Sequence, residues 1–269
     1  MTESSPLQFT GSIPQNYDDY LGPMFFESYA QDVGSLIDTS AINRALEIAS
    51  GTGRLTRHLR KALPKKAGLV ASDVSEDMLT VARKRLNQEN IEWRIIDAQS
   101  LPFEDNSFDL VVCYFGYMMV PDKEKAYTEA LRILRKGGML LMATWDNLES
   151  NKASYVFRTT LKRFLGDTLP ESYKAPFSMH DPELITSMLK KSGFSKVQSE
   201  KIGKMAVAES AAKAAHGLIR GGSLYNEIAK RDPGLIDEIT TVVEQELAAK
   251  YGKAPMSAPM SAVITRAWK

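Results

Sequence analysis

Short apolar runs alternate along this chain with longer stretches in which apolar and polar residues recur at helical spacing. The apolar runs predict strands at residues 44–49, 68–72, 91–96, 108–114, 138–144, 194–205 and 260–268. Helical spacing separates several of the first five runs, at residues 54–62, 76–87 and 122–134. Strands that alternate with helices of this length form βαβ units, whose strands lie parallel. Because such crossovers are right-handed, the pattern predicts a doubly wound α/β sheet with helices on both faces.

Helical spacing also dominates the two flanks of this region. Residues 16–39 form a helix-like segment rich in aromatic side chains, and further helices are predicted at 151–164, 181–191, 206–220, 223–230 and 234–251. No linker, repeat or low-complexity tract separates the flanks from the alternating region. We therefore predict a single domain over residues 1–269.

Composition and charge narrow the classes of function. The chain has 34 basic and 33 acidic residues, so no basic excess favours a phosphate backbone, and we expect no nucleic-acid partner. The lone cysteine, Cys113, excludes an intramolecular disulfide and a cysteine metal cluster, and we expect no metal site. The amino terminus is polar, and no apolar stretch approaches the roughly 20 residues that cross a bilayer. We therefore expect a soluble, cytoplasmic protein without a membrane span.

Candidate chemistry begins at the glycine turn after the first predicted strand. Gly51 and Gly53 lie where a strand runs into a helix, and ligands of doubly wound sheets bind at the carboxyl ends of the strands. A tight turn without a ligand remains the alternative reading. A dinucleotide-binding turn would carry a third glycine, and Thr56 stands at that position, which disfavours an NAD-dependent oxidoreductase.

Three acidic residues lie at the same predicted edge of the sheet. Glu47 lies inside the first strand, where a buried carboxylate needs donors or a cation. Asp73 ends the second strand, where a carboxylate can accept both hydroxyls of a ribose. The alternative for Asp73 is a helix N-cap, but Ser75 can fill that role. Asp97 follows the third strand and is either an adenine contact or a solvated loop residue.

In order and spacing, these motifs resemble class I S-adenosylmethionine-dependent methyltransferases, in the small-molecule branch of the ubiquinone/menaquinone-type enzymes. The matching segments are LEIASGTG at 46–53, the acidic end of the second strand, Asp97-Ala98, DNSFDLVVC at 105–113 and LRILRKGG at 131–138. The resemblance covers residues 17 to about 146. It implies a Rossmann-like seven-stranded sheet, mostly parallel with the last strand antiparallel, and S-adenosylmethionine as cofactor. It also implies N-terminal lid helices at 1–40, a cofactor-binding core at 41–146, and acceptor-side helices with the last two strands at 147–269.

The resemblance assigns cofactor-binding roles residue by residue. Gly51 and Gly53 would flank the methionine part of the cofactor, and Asp73 would hold the ribose. Met78 would pack on the adenine ring, and Asp97 with Ala98 would meet the adenine amino group. The remaining cofactor-site residues would be Tyr17, Glu47, Ala49, Tyr114 and Gly116. Ala49 departs from the family pattern, because it replaces the first glycine of the motif.

The acceptor is predicted to be small and either apolar or aromatic. The candidate pocket comprises the N-terminal aromatic helix, residues 114–120, the aromatic insert at 151–178 and residues 206–220. His180 is the candidate catalytic base, with an ordinary loop histidine as the alternative. The activity implied is in-line transfer of a methyl group. The alternatives are a cofactor-binding enzyme with non-methylating chemistry and a non-catalytic binding protein of the same fold.

Overall fold

The architecture is that of a computed structural model, which describes residues 9–166 and 171–269. The seven strands are β1 (Arg44–Ile48), β2 (Gly68–Asp73), β3 (Glu92–Ile95), β4 (Phe108–Tyr114), β5 (Leu134–Trp145), β6 (Lys196–Ala208) and β7 (Met256–Trp268). The α-helices are α1 (Ile13–Asn16), α2 (Glu27–Gln31), α3 (Arg54–Ala62), α4 (Glu76–Arg85), α5 (Lys123–Ile133), α6 (Lys152–Leu165), α7 (Glu171–Lys174), α8 (Pro182–Lys191), α9 (Ala211–Arg220), α10 (Leu224–Arg231) and α11 (Leu235–Tyr251).

The strands form one sheet in the order β3-β2-β1-β4-β5-β7-β6. β7 runs antiparallel to both of its neighbours, and the other paired strands are parallel. This confirms the predicted doubly wound, Rossmann-like α/β sheet with its last strand antiparallel. The strand order reverses between β1 and β4, so the connections leave these two strands in opposite directions and open a crevice at their carboxyl ends.

Continuous apolar sequence places the central strands in the core. Leu46 of β1 and Val111 of β4 have no exposed surface, as expected for parallel strands that are covered on both faces. Side-chain caps then start three of the helices that follow strands or loops. Ser75 accepts a hydrogen bond from the Met78 amide, and Asp122 and Asp181 accept equivalent bonds at the starts of α5 and α8.

Several predicted elements differ from the structure in their bounds. β5 and β7 begin four residues earlier than the predicted 138–144 and 260–268. β6 continues through Ala208, so the helix predicted at 206–220 begins only at Ala211. The helix predicted at 16–39 is divided into α1, a π-helical segment at Tyr17–Phe26, α2 and a short 3-10 turn at Val33–Ser35. Within the described ranges, no helix is both long and apolar enough to span a membrane.

A close contact joins the ends of β1 and β4 at the crevice. Ala49 has a φ of +55°, the left-handed region that costs a residue with a Cβ roughly 1–2 kcal/mol. A Cβ on Gly116 would lie 2.5 Å from the Ala49 Cβ and 2.7 Å from the Cys113 sulfur. The alanine that replaces the family's first glycine is therefore accommodated by the glycine that faces it across the crevice.

This contact predicts a compensating pair of substitutions. Gly116→Ala should lower the free energy of unfolding by about 1–3 kcal/mol, because the added methyl overpacks the contact. Ala49→Gly alone should raise the free energy of unfolding by up to about 1 kcal/mol, because glycine adopts this φ without the Cβ cost but loses more backbone entropy on folding. Ala49→Gly with Gly116→Ala should recover more of the loss than this single effect accounts for, since only the Cys113 contact then remains. Denaturant unfolding of the three variants measures this coupling. Strictly additive effects, or a neutral Gly116→Ala, would contradict it.

Candidate functional site

The crevice between β1 and β4 holds a small cavity of about 40 Å³. Five of the predicted cofactor residues line it: Tyr17, Glu47, Ala49, Gly51 and Tyr114. β1 supplies Glu47, and the turn after it supplies Ala49 and Gly51. The end of β4 supplies Tyr114, and the π-helical segment places Tyr17 over them. Residues far apart in sequence therefore meet where a doubly wound sheet binds its ligands.

Asp73 lies beside the cavity and fixes the shape of the glycine turn. One of its carboxylate oxygens accepts the Gly51 amide at 2.9 Å, and the other accepts the Ser75 amide at 2.9 Å. Burial raises the pKa of Asp73, whereas these amide hydrogen bonds lower it. Because each carboxylate oxygen can accept two hydrogen bonds, Asp73 keeps capacity for ligand hydroxyls.

The other predicted cofactor residues lie around this centre without lining the cavity. A Cβ on Gly53 would lie 3.1 Å from the side chains of Ala82 in α4 and Leu86 just beyond it. Gly53 therefore lets α3 pack closely against α4. Gly116 faces Ala49, as described above. The Met78 side chain is buried at the start of α4, and Asp97 is exposed just beyond β3, with Ala98 buried beside it. Their predicted contacts with a cofactor stay predictions.

Glu47 introduces an ionisable group into the apolar wall of the crevice. Its carboxyl is almost fully buried, and burial raises its pKa to about 8, with nearby Asp73 acting in the same direction. The second carboxyl oxygen, the Ser50 hydroxyl and the Tyr114 hydroxyl are buried without a hydrogen-bond partner. Unpaired buried polar groups of this kind are costly and fit a polar ligand.

A second, larger cavity of about 170 Å³ lies beyond the first and is mainly apolar. Its walls include Phe25, Trp145, Phe157, Phe177 and Leu218, which come from five different elements of the chain. Among the described lining residues there is no acidic, basic or histidine side chain. This cavity can accommodate an uncharged group far more readily than a charged one.

Aromatic rings form the wall between the two cavities. Tyr17 and Phe26 line both cavities and stack with their ring centroids 5.1 Å apart. Phe26 contacts Phe115 edge to face at 5.3 Å, and Phe115 stacks on Trp145 at 4.0 Å. We call these four side chains the aromatic wall.

The structure does not bring His180 to either cavity. His180 is exposed between buried Met179 and the N-cap residue Asp181, and its ring lines neither the small nor the apolar cavity. The predicted insert at 151–178 contributes Phe157, Tyr173 and Phe177 to the apolar cavity, while its residues 167–170 lie outside the described residues. No group of three or more potential metal ligands occurs in the described parts of the chain.

Several residues of the site were missed by the sequence analysis. Thr52 and Arg54 line the small cavity at the glycine turn, and Trp145 joins Phe26 and Phe115, which lie in the predicted pocket segments, in the aromatic wall. Arg54 and Thr52 look like ordinary turn residues in sequence, and only their contacts with the distant π-helical segment single them out. A further candidate is Val74, which follows Asp73 and is 66% exposed at the rim, where it could cover a planar ring.

Comparison with known proteins agrees with this geometry. Residues 46–142 match the family model described as a methyltransferase domain. The chain is 31% identical over 204 residues to the ubiquinone/menaquinone biosynthesis C-methyltransferase UbiE of Hydrogenovibrio crunogenus. The aligned residues cover 70% of this chain and 80% of that protein.

Two solved structures share the fold at low sequence identity. Phosphoethanolamine N-methyltransferase 2 of Haemonchus contortus, in complex with S-adenosyl-L-methionine, superposes with a TM-score of 0.61 at 18% identity, over 97% of this chain and 58% of that one. The cyclase SpnF superposes with a TM-score of 0.55 at 18% identity, over 90% and 81%. The relationship to UbiE, together with the crevice and its glycine turn, shows that the chain belongs to the class I S-adenosylmethionine-dependent methyltransferases.

Proposed function

We propose that this methyltransferase acts on a small, uncharged, apolar or aromatic acceptor that binds in the apolar cavity. The observation that carries the proposal is the composition of that cavity, whose described walls are mainly aromatic and aliphatic, with Asn151, Ser154 and Ser223 as uncharged polar residues and no acidic, basic or histidine group. Transfer of a charged group into such surroundings would cost far more than transfer of an aromatic ring.

The polar groups around the small cavity suit the methionine end of the cofactor. The unpaired oxygens of Glu47, Ser50 and Tyr114 supply polar partners for its ammonium and carboxylate groups, and Asp73 at the rim supplies acceptors for the ribose. The bound cofactor supplies an electrophilic methyl group, so the protein's main task is to orient the acceptor. The aromatic wall separates the two cavities and can set that orientation.

The apolar walls also constrain the acceptor's chemistry. His180 lies outside the cavity, so we propose that the described walls supply no side-chain base and that the acceptor enters as an electron-rich ring or with an acidic hydroxyl. UbiE is named a C-methyltransferase of quinone biosynthesis, which supports carbon methylation of a quinol-type ring here. We further propose one cytoplasmic domain, with residues 1–40 as lid, 41–146 as cofactor core and 147–269 as acceptor side.

An acceptor screen tests the proposed substrate class. Alkyl-substituted hydroquinones and simple phenols, incubated with labelled S-adenosylmethionine, should yield methylated product, whereas aliphatic amines and nucleic acids should not. Product mass and the position of the label separate carbon from oxygen methylation. Transfer to amines alone would contradict the proposal. Binding of the cofactor without transfer to any acceptor would favour the non-methylating alternative.

Substitution in the apolar cavity should separate acceptor binding from cofactor binding. Phe177→Ala removes a ring from the cavity wall and should raise the acceptor KM about tenfold, the effect of losing roughly 1.4 kcal/mol of apolar contact. The affinity for S-adenosylhomocysteine should stay unchanged. Tyr155→Ala is the matched control, because that ring is 41% exposed on α6 and lines neither cavity. An unchanged KM in Phe177→Ala would place the acceptor elsewhere.

Glu47 should make cofactor binding depend on pH. With a pKa of about 8, the free carboxyl is mostly neutral at pH 7, and a bound ammonium group favours its ionised form. Binding then releases a proton, so affinity for S-adenosylhomocysteine should rise from pH 6 to pH 8 and level off above the pKa. Calorimetry in buffers of different ionisation enthalpy measures the released proton. Glu47→Gln should abolish the release, and an unchanged release in that variant would contradict the assignment.

A further inference from the structure

The roof over the small cavity must move for a ligand to enter. The cavity encloses about 40 Å³, whereas ligand cavities usually enclose about 300–1,000 Å³. Its roof is the π-helical segment Tyr17–Phe26, which carries Tyr17 and Phe26. What holds this segment against the glycine turn therefore bears on the entry and release of the cofactor.

Arg54, the first residue of α3, holds the roof from below. Its guanidinium donates to the Asp18 backbone oxygen at 2.8 Å and to the Asp18 carboxylate at 3.1 Å, and it pairs with Glu27 at 2.8 Å. The Arg54 side chain is only 12% exposed, so these contacts are largely shielded from solvent. Arg54 follows the glycine turn directly and thereby joins that turn to both ends of the roof.

Two residues of the roof are adapted to this guanidinium. A Cβ on Gly22 would lie 2.4 Å from the Arg54 Nε, so only glycine leaves room for the side chain. Pro23 lacks an amide hydrogen, and in an i to i−5 hydrogen-bond pattern its missing donor would have paired with the Asp18 carbonyl. The carbonyl left free by Pro23 is the one that accepts Arg54.

The Asp18 carboxylate is the centre of the contact. It is buried and accepts the Thr52 hydroxyl of the glycine turn at 2.9 Å, in addition to pairing with Arg54 and with Arg85 of α4. Glu27 adds pairs with Arg57 and His58 on α3. The interaction is therefore a network that links the roof to the turn and to two helices of the core, rather than one isolated surface ion pair.

We propose that Asp18, Gly22, Glu27, Arg54 and Arg85 form a latch that closes the roof on the cofactor turn and sets the residence time of the cofactor. Opening requires the latch to break, and re-forming it returns Tyr17 and Phe26 to the wall that both cavities share. Arg54 and Asp18 are positioning residues in this account, since they act through the roof. Measuring cofactor release is enough to test the latch. Only the idea that the latch also shapes the acceptor cavity rests on the proposed function.

Three variants break the latch in different ways. Asp18→Asn removes its charge, and Gly22→Ala displaces Arg54 sterically while leaving every charge in place and favouring a helix. Arg85→Met removes a partner that does not line the small cavity. Asp19→Asn is the matched control, because Asp19 is an exposed carboxylate on the same segment that bonds only to Gln15 in the described contacts.

Stopped-flow release and calorimetry of S-adenosylhomocysteine are the main measurements. Asp18→Asn and Gly22→Ala should each weaken binding about tenfold, mainly through faster release, and Arg85→Met should weaken it about threefold. Asp19→Asn should stay within twofold of the wild type. For an acceptor that the wild type methylates, Gly22→Ala should raise KM more than it lowers kcat. Affinities within twofold of the wild type in both Asp18→Asn and Gly22→Ala would overturn the latch. A loss of affinity in Asp19→Asn equal to theirs would also overturn it.

Hydrogen exchange of the ligand-free protein keeps the test independent of cofactor binding. Amides of the roof should exchange about tenfold faster in Gly22→Ala and Asp18→Asn than in the wild type and Asp19→Asn, because the open state becomes more populated. Unchanged exchange would overturn the latch. Failure of the wild type to bind S-adenosylhomocysteine would instead count against the proposed cofactor site, so the two failures are distinguishable.

Discussion

The reversal of strand order between β1 and β4 is the constraint on which the site depends. At this point the backbone connections part, and the ends of the two strands approach so closely that Ala49 and Gly116 leave no room for a second Cβ. The glycine turn, the unpaired Glu47 oxygen and the Tyr114 hydroxyl converge on the resulting crevice. Ligand binding at this crevice follows from the topology of the sheet. Among the described strands, no other pair of neighbouring parallel strands has chain connections that leave in opposite directions, away from each other.

The aromatic wall is the boundary that two chemically different cavities share. On one side lie buried polar oxygens that suit an amino-acid group, and on the other lies an apolar space lined by Phe157 and Phe177. Phe26 contributes to both. A movement of the roof therefore changes both cavities together, which explains how closure over a cofactor could also shape the place for an acceptor.

Sequence periodicity predicted the seven strands and most helices because long apolar runs and capping residues act locally. It failed where partners distant in sequence decide the structure. The strand predicted at 260–268 missed the first four residues of β7, which include Pro259. β5 pairs with β7 only from Ala262 onward, so the missing amide of Pro259 disturbs no bond to β5. The segment predicted as a helix at 16–39 stays helical through Gln31, but its pattern is π-helical at Tyr17–Phe26, where Pro23 lacks an amide donor and Arg54 donates to the Asp18 carbonyl.

The same distinction applies to the candidate site. Motifs that follow strands directly, such as Gly51 and Asp73, were predictable because parallel strands end at one edge. Residues brought in by tertiary packing were not: Asp18, Arg54 and Trp145 have no sequence signature apart from the partners they meet. His180 was predicted from its residue type and its place between the fifth strand and the next helix, and the structure leaves it exposed and away from both cavities.

Calorimetric titration of the purified protein with S-adenosylmethionine and S-adenosylhomocysteine, with NAD as control, tests the central claim that this crevice is the cofactor site. The account predicts binding of both sulfur ligands and no binding of NAD, together with loss of binding when Asp73 is changed to Ala. Binding of NAD, or affinity for S-adenosylhomocysteine that is unaffected by Asp73→Ala, would contradict the site as described.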